Sequence, residues 1–234
     1  MSTRLILQLI LFTFHSFSIY SQSCNSYYPL EEGTRWVTET FDNDDQFVSR
    51  SIKTVNNIEI SDGVFTGKMK GEVFDNMGQE IGRLDYEVKC QDGNFLVSMN
   101  SFLNPQQMSA YENMEVEIDG DFLQLPSNLQ PGMTLDDASV EIKMKKSGIE
   151  MMSLTIEIFD RQVEKIESIT TPAGTFDCVK IVYGVQSQMG QAIPINIKTS
   201  GAEWLSKGAG MIKSEQYDEN QNLMSKSLLT EFKR

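Results

Sequence analysis

One stretch, Thr170 to Val185, constrains the fold of this chain more than any other. It begins with a Pro-Ala-Gly turn, in which Pro172 fixes its own φ and favours an extended conformation for the residue before it. Gly174 then supplies a tight bend. The run from Thr175 to Val185 is dense in Val, Ile, Phe and Tyr, residue types that favour strands. This stretch predicts a central β-strand with which the rest of the chain can pair.

Much of the remaining chain alternates apolar and polar residues with the period of a strand that buries one face. Residues 140–145 place Val, Ile and Met on one face and Glu and Lys on the other, and residues 152–158 follow the same pattern. Such strands are typical of antiparallel sheets. We therefore predict a mainly β fold, a curved antiparallel sheet or half-barrel of about 10–12 strands. One short helix at residues 104–113, with Asn104 as its N-cap, and a long loop at 125–137 are expected against its concave face.

Three turns share one pattern, an aromatic residue followed by Asp and a polar loop. They begin at Phe41-Asp42, Phe74-Asp75 and Tyr217-Asp218. An Asp carboxylate in this place can accept hydrogen bonds from the backbone N–H groups of the turn. Asp42, Asp44 and Asp45 could also be calcium ligands, but their loop lacks the glycine and the distal Glu of an EF-hand. The pattern therefore predicts hairpin turns rather than a metal site.

The N-terminus has the features of an export signal. Arg4 supplies a positive charge, Leu5 to Phe17 is mostly apolar, and Ser-Gln-Ser at 21–23 fits a cleavage site. The apolar run is too short for a transmembrane helix, and no later segment is long and apolar enough for one. We predict a signal peptide over 1–23 and a single β-rich exported domain over 24–234, periplasmic or associated with the outer membrane.

The cysteines leave several states open. Cys24 directly follows the predicted cleavage site, as the lipidated cysteine of a lipoprotein does. Lipoprotein signals carry an aliphatic residue three places earlier, where this chain has Ser21, so a lipid anchor is not favoured over a disulfide or ordinary cleavage. An exported protein meets an oxidising compartment. If Cys24 is lipidated, Cys90 and Cys178 are the only pair left, but the sequence does not choose among the three pairings.

Charge and histidine content narrow the function classes. The formal net charge is −13, and the longest basic cluster is residues 143–146, so a nucleic-acid partner is not expected. The single histidine, His15, lies in the predicted signal peptide. The exported domain then has no histidine for a nucleophilic triad, a general base or a metal site. We expect a non-enzymatic protein with no cofactor and no metal.

Two tryptophans and many of the 13 methionines fall where inward faces of strands are expected. Methionine fills irregular cores and also lines adaptable apolar cavities, so both roles stay open for these residues. If the concave face holds a pocket, its predicted lining is Trp36, Met144, Met152, Ile156 and Trp204.

Three motifs resemble a family of exported bacterial proteins of unknown function that is common in Bacteroidetes-type envelopes. They are C-x-x-Y-Y-P-L-x-x-G-T at Cys24 to Thr34, T-T-P-A-G-T-F-D-C at Thr170 to Cys178, and W-L-S-K-G-A-G-M-I-K-S-E at Trp204 to Glu215. The resemblance spans nearly all of the predicted exported domain. It implies a fold similar to the lipoprotein-carrier (LolA/LppX-like) half-barrel, and the family has no agreed catalytic residues to transfer.

Two function classes remain. The first is a binding protein that takes a lipid, an acyl chain or another apolar envelope ligand in the concave face of its sheet. The second is a structural or assembly protein of the envelope, with that face filled by its own helix and loop and with another envelope protein as its partner.

Overall fold

The computed structural model describes residues 27–103, 113–190 and 194–234 of the 234-residue chain. The predicted signal peptide, Cys24 and residues 104–112, which hold nearly all of the predicted helix, lie outside the described residues. The strands in chain order are β1 Arg35–Asp42, β2 Phe47–Ser61, β3 Val64–Asp75, β4 Glu80–Gln91, β5 Asn94–Ser98, β6 Glu115–Gly120, β7 Phe122–Pro126, β8 Ala138–Lys146, β9 Ile149–Thr171, β10 Gly174–Met189, β11 Ile195–Ser206, β12 Gly210–Tyr217 and β13 Leu223–Lys233. A 3-10 turn, Met99–Phe102, follows β5.

The thirteen described strands form one sheet in the order β6-β8-β9-β10-β11-β12-β13-β1-β2-β3-β4-β5-β7. Every pairing in it is antiparallel. Most strands therefore pair with their neighbours in the chain, since antiparallel strands need only short connections. β1 pairs with β2 on one side and with β13 on the other. The first and last strands thus meet in the middle of the order, so one sheet contains the strands on both sides of the long loop.

The two ends of the sheet are joined by a single residue. β6 pairs with β8, β7 pairs with β5, and only Asp121 separates β6 from β7. The N–H of Asp121 donates to the carbonyl of Ser139 at 2.9 Å, and its own carbonyl accepts from the N–H of Met99 at 3.1 Å. Its carboxylate also accepts from the N–H and hydroxyl of Ser139, both at 3.1 Å. One extended segment therefore bridges both ends, and the sheet is nearly closed and barrel-like.

β9 is a single strand of 23 residues that contains the alternating segment 152–158. Asp160 in its middle has a φ of 52°, a conformation uncommon outside glycine, and the pairing with β10 skips residues around it. The next residue, Arg161, is only 2% exposed. Its guanidinium donates to the carbonyls of Asp136 at 2.6 Å and Gln124 at 3.1 Å. The irregular backbone at Asp160 therefore places a buried arginine of β9 where it hydrogen-bonds to both the long loop and β7.

The long loop predicted at 125–137 is present, although β7 takes its first two residues. The loop hydrogen-bonds to the second part of β9, with Leu135 N–H donating to Arg161 at 2.9 Å and Val163 N–H donating to Met133 at 2.9 Å. Its side chains Leu129 and Leu135 are buried in the core. The loop thus extends the sheet along β9 where the pairing with β8 ends.

The three aromatic–Asp turns are confirmed as hairpin turns, between β1 and β2, β3 and β4, and β12 and β13. In each turn one Asp carboxylate oxygen accepts from the backbone N–H groups two and four residues later, at 2.9 and 2.8 Å. The three residues are Asp42, Asp75 and Asp218. The carboxylate satisfies donors that the turn would otherwise leave to water, which explains why Asp occupies this position.

The core lines the inner face of the curved sheet. On β8 every second residue from Ala138 to Met144 is buried, and the residues between them are partly exposed. This is the alternation expected of a strand with one buried face. The predicted fold class is therefore confirmed: the protein is mainly β, with a curved antiparallel sheet of 13 strands rather than about 10–12.

Candidate functional site

A cavity of about 220 Å³ lies inside the sheet. An engineered protein cavity of about 150 Å³ takes up benzene, so this cavity has room for a small organic ligand. Most of its lining is aromatic or aliphatic and comes from strands on both sides of the long loop. These lining residues are Tyr28, Leu30, Trp36, Met69, Tyr86, Val88, Phe95, Val97, Phe102, Leu123, Leu125 and Met211.

Three rings, Tyr28, Trp36 and Phe95, form what we call the aromatic wall of the cavity. Tyr28 stacks on Phe95 with ring centroids 5.0 Å apart and 17° between the planes, and it meets Trp36 edge-on at 6.0 Å. Trp36 donates its indole N–H to the carbonyl of Ala209 at 2.6 Å. Both ring arrangements are favourable for aromatic pairs, and the hydrogen bond fixes the indole. The wall is therefore a rigid apolar surface.

The Gly-rich bend between β11 and β12 makes the aromatic wall possible. Gly210 has a φ of 83°, which glycine adopts without steric cost. A Cβ on Gly210 would lie 2.6 Å from the ring of Tyr28 and 3.3 Å from Nε1 of Trp36. The missing side chain lets Tyr28 lie against the bend while Ala209 accepts the hydrogen bond from Trp36. Two of the three sequence motifs, Tyr-Tyr-Pro-Leu and Gly-Ala-Gly, therefore meet at the cavity.

Three polar residues on neighbouring strands, Tyr183, Glu203 and Gln216, form a second feature of the lining, which we call the polar patch. The Tyr183 hydroxyl donates to Oε1 of Glu203 at 3.2 Å, and Nε2 of Gln216 donates to the Tyr183 hydroxyl at 3.3 Å. Gly201 stands opposite Tyr183 on one side and Gln216 on the other. A Cβ on Gly201 would lie 2.5 Å from the tyrosine ring. The ring of Tyr183 therefore crosses directly over Gly201, which points its hydroxyl at the next strands.

Burial controls the protonation of the polar patch. Loss of hydration raises the pKa of Glu203, while the hydrogen bond from Tyr183 and the charges of Lys53 and Arg161 oppose this shift without cancelling it. Loss of hydration, followed by the charge of Glu203, raises the pKa of Tyr183 well above its ordinary value. Tyr183 therefore stays a hydroxyl donor at neutral pH, and Glu203 accepts a proton more readily than an exposed glutamate.

Two cations stand near the polar patch. Lys53 lines the cavity from β2, and its ammonium lies 5.9 Å from the ring centroid of Tyr86. Arg161 acts electrostatically on both Glu203 and Tyr183, and loss of hydration lowers its own pKa. Within the described ranges, neither Lys53 nor Arg161 forms an ion pair with a carboxylate.

A surface groove of about 590 Å³ adjoins the cavity, and Met69 and Tyr86 line both. The groove follows a gap in the sheet. β5 pairs only with the last residues of β4, so residues 80–87 of β4 have no strand on that side in the part of the chain that the structure describes. Methionine is a flexible side chain that adapts its shape. A movement of Met69 and Tyr86 would therefore connect the groove with the cavity.

Of the five residues predicted to line a pocket, Trp36 lines this cavity. Met144, Met152 and Ile156 do not line it; they lie on β8 and β9, where Met144 pairs with Met152 and Ile156 with Val140. Met144 is fully buried, and the other two are partly buried against the core. These three residues pack the core, which is the other role that the sequence leaves open for methionine.

Trp204 does not line this cavity either. It follows Glu203 in β11, so its side chain points to the opposite face of the sheet. There the indole ring has the ammonium groups of Lys180 and Lys213 at 5.1 and 4.4 Å from its centroid, and its N–H donates to Oε1 of Glu167 at 2.7 Å. The alternation of residues along a strand shows which side chains share a face of the sheet. It does not show which face of the sheet is concave.

The cysteines also require a correction. Cys178 is a free, fully buried thiol in β10, and burial raises its pKa to about 11. Cys90 is disulfide-bonded. A Cys90–Cys178 disulfide, the predicted pair if Cys24 is lipidated, is therefore wrong. Cys24 itself lies outside the described residues.

The polar patch is not among the features that the sequence predicts. One signal was available: Gly201 interrupts a strand, and a glycine inside a strand often marks a close approach by another group. The group that approaches is Tyr183, which lies on the preceding strand, and sequence spacing does not show that these two residues are opposite each other.

Comparisons with other proteins agree with this architecture. A family profile described as DUF3108-like matches residues 31–229. The structure is similar to that of a candidate lipoprotein from Parabacteroides distasonis ATCC 8503, with 30% sequence identity and a TM-score of 0.76, covering 91% of this chain and 100% of that chain. It is also similar to a candidate exported protein with a YmcC-like fold from Bacteroides fragilis NCTC 9343, with 24% identity and a TM-score of 0.71, covering 88% and 98% of the two chains. No curated protein matches the chain.

None of the helices in residues 27–103, 113–190 and 194–234 has the length and apolar character needed to cross a membrane.

Proposed function

The chain belongs to the DUF3108-like family, and we propose that this member is an exported, non-enzymatic protein that binds a small apolar ligand, such as an acyl chain, in its internal cavity. The cavity of about 220 Å³ carries this proposal. Protein interiors are close-packed and hold few voids larger than a water molecule. A cavity of this volume with mainly aromatic and aliphatic walls lets an apolar ligand replace water and bury its own apolar surface.

The lining sets the expected strength of binding. Burial of one methylene group contributes about 0.8 kcal/mol. A chain of about seven such groups would therefore contribute about 5–6 kcal/mol, which corresponds to a dissociation constant on the order of 0.1 mM from burial alone. The rigid aromatic wall of Tyr28, Trp36 and Phe95 lowers the entropy cost of binding, because its rings are already fixed.

The relatives support an envelope location for this ligand. The protein from Parabacteroides distasonis is described as a candidate lipoprotein and the one from Bacteroides fragilis as a candidate exported protein. Both descriptions agree with the signal peptide predicted over residues 1–23. We place the protein in the periplasm or at the outer membrane, where acyl chains and other apolar envelope molecules are available.

The two tryptophans allow a direct test. Bromine atoms on an acyl chain quench the fluorescence of an indole that they touch. Trp36 lines the cavity, whereas Trp204 lies on the opposite face of the sheet between two lysines. In the Trp204→Phe variant, which keeps only Trp36, a brominated fatty acid should quench the emission in a saturable way. In the matched Trp36→Phe variant, which keeps only Trp204, it should not.

Two results would contradict the proposal. Absence of quenching in the Trp204→Phe variant would show that no chain enters the cavity. Equal quenching in both variants would show that the probe binds the surface without preference. Either result would favour the alternative of a structural or assembly protein of the envelope, and the next search would be for a protein partner.

A further inference from the structure

We propose that the ligand of the cavity is an amphiphile with a carboxylate head group, which binds between Lys53 and the polar patch while its apolar chain lies along the aromatic wall. The inference rests on the proposed function, because it names the ligand class for the same cavity. The distribution of apolar and charged groups around the cavity carries it.

The apolar and polar features lie at opposite ends of β12. Gly210, which receives Tyr28 of the aromatic wall, is the first residue of that strand, and Gln216 of the polar patch is the last but one. The cavity therefore changes along this strand from an apolar to a hydrogen-bonding surface. A ligand that matches both surfaces has an apolar chain at one end and a polar head group at the other.

Lys53 is a cation that lines the cavity. Arg161 does not line it, and the carboxylates of Glu203, Asp136 and Asp137 all act electrostatically on its guanidinium. The guanidinium of Arg161 donates to the backbone carbonyls of Asp136 and Gln124. Among the described residues, Lys53 forms no ion pair with a carboxylate. Lys53 is partly buried, and a hydrogen-bonded carboxylate stabilises a partly desolvated ammonium. A carboxylate in the cavity would supply this partner to Lys53.

The hydrogen-bonding groups also suit a carboxylate. Gln216 donates one N–H to Tyr183, and its amide carries a second N–H that can donate to a ligand oxygen. Together with the Lys53 ammonium, this N–H gives two donors for the two oxygens of a carboxylate. Glu203 is already engaged by the hydroxyl of Tyr183, which limits its competition for the same donors.

Other head groups fit less well. A cationic head group would meet the like charges of Lys53 and Arg161, which disfavour it. An uncharged alcohol or ester could hydrogen-bond to Gln216 but would leave Lys53 without a counter-ion. The ammonium of Lys53 and the amide donor of Gln216 therefore favour the same class, a carboxylic acid with a short apolar chain.

The test compares octanoate with 1-octanol and methyl octanoate by isothermal titration calorimetry at neutral pH, on the full exported protein. Octanoate should bind at least about tenfold more tightly than the two uncharged probes, since hydrogen bonds to charged groups are the stronger ones. Lys53→Met should remove this preference and leave the three affinities equal. Lys53→Arg should retain it. Lys213→Met, which removes an ammonium from the outer face beside Trp204, is the control and should change none of the affinities.

The outcomes separate the two proposals. Equal affinities for the three probes in the unmodified protein would overturn the carboxylate inference and leave an apolar ligand in place. A preference for octanoate that survives Lys53→Met would overturn the role of Lys53. No binding of any probe, together with no quenching of Trp36, would overturn both proposals. If thermal unfolding shows that Lys53→Met is not folded, Lys53→Gln replaces it. Lys53→Gln removes the charge but keeps a polar side chain, and we expect the same loss of preference for octanoate.

Discussion

Replacing Gly201 by alanine should disrupt the polar patch without touching the aromatic wall. The new Cβ would lie 2.5 Å from ring atom Cζ of Tyr183 and 2.7 Å from its hydroxyl oxygen, distances that real Cβ contacts do not show. The ring must therefore leave its position over Gly201. Its hydroxyl then loses the hydrogen bonds to Glu203 and Gln216.

Two costs contribute to the loss of stability in this variant. Moving a packed ring to admit a methyl group costs about 1–3 kcal/mol. Losing a hydrogen bond to a buried carboxyl group costs about 1.5–3 kcal/mol. We expect the free energy of unfolding to fall by about 3–5 kcal/mol, and the affinity for octanoate to fall as well, because the polar patch no longer holds its geometry.

The assay is denaturant unfolding followed by circular dichroism, together with calorimetric titration of octanoate. Gly184→Ala is a matched control. Its Cβ would lie 2.5 Å from the ring of Phe159, but Gly184 is next to Tyr183 in β10 and so faces away from the cavity. The control should lose only about 1–3 kcal/mol and should bind octanoate normally. A Gly201→Ala protein with unchanged stability and unchanged affinity would refute the account of the polar patch.

Three further predictions follow from buried groups. An alkylating reagent should leave Cys178 unmodified in the native protein and should label Cys178 after unfolding. Peptide mapping should recover Cys90 in a disulfide-linked peptide, and a linked Cys90–Cys178 peptide would contradict the structure. Gly210→Ala should lower the free energy of unfolding by at least about 1–3 kcal/mol, because a Cβ there meets the ring of Tyr28 at 2.6 Å and the backbone φ is 83°; a denaturation midpoint equal to that of the parent protein would argue against this close contact. Burial raises the pKa of Glu203 above its ordinary 4.5, so its contribution to stability is full below pH 4.5 and is lost as pH rises through the raised value. Glu203→Gln should therefore flatten the fall in thermal midpoint between acid and neutral pH, and parallel curves for both proteins would count against the raised pKa of Glu203.

The strands and turns could be predicted because their causes are local. β10 spans Gly174–Met189 and contains the whole of the predicted strand Thr175–Val185. Asp42 and Asp75 form the turns that their spacing indicates, since the carboxylate binds N–H groups only two and four residues away. The pairing of β1 with β13 has no such local cause, because it joins residues almost 200 positions apart.

The candidate site was less accessible to sequence reasoning, and the two tryptophans show why. Trp36 and Trp204 both lie in strands and both are buried, yet only Trp36 reaches the cavity. The direction of each side chain depends on which face of the sheet curves inward, and that is a property of the whole sheet. The contact of Tyr183 with Gly201 depends in the same way on the register between two strands. The likeness to a lipoprotein carrier and the signal peptide over residues 1–23 stay predictions.

Native mass spectrometry with added octanoate tests the central claim most directly. The protein should carry one octanoate that is lost on denaturation, and a Val97→Phe variant should carry none, because Val97 lines the cavity and the larger ring would occupy the space of the chain. A protein that stays free of ligand at millimolar octanoate, or a variant that binds as well as the parent, would contradict the claim that this cavity is a ligand-binding site.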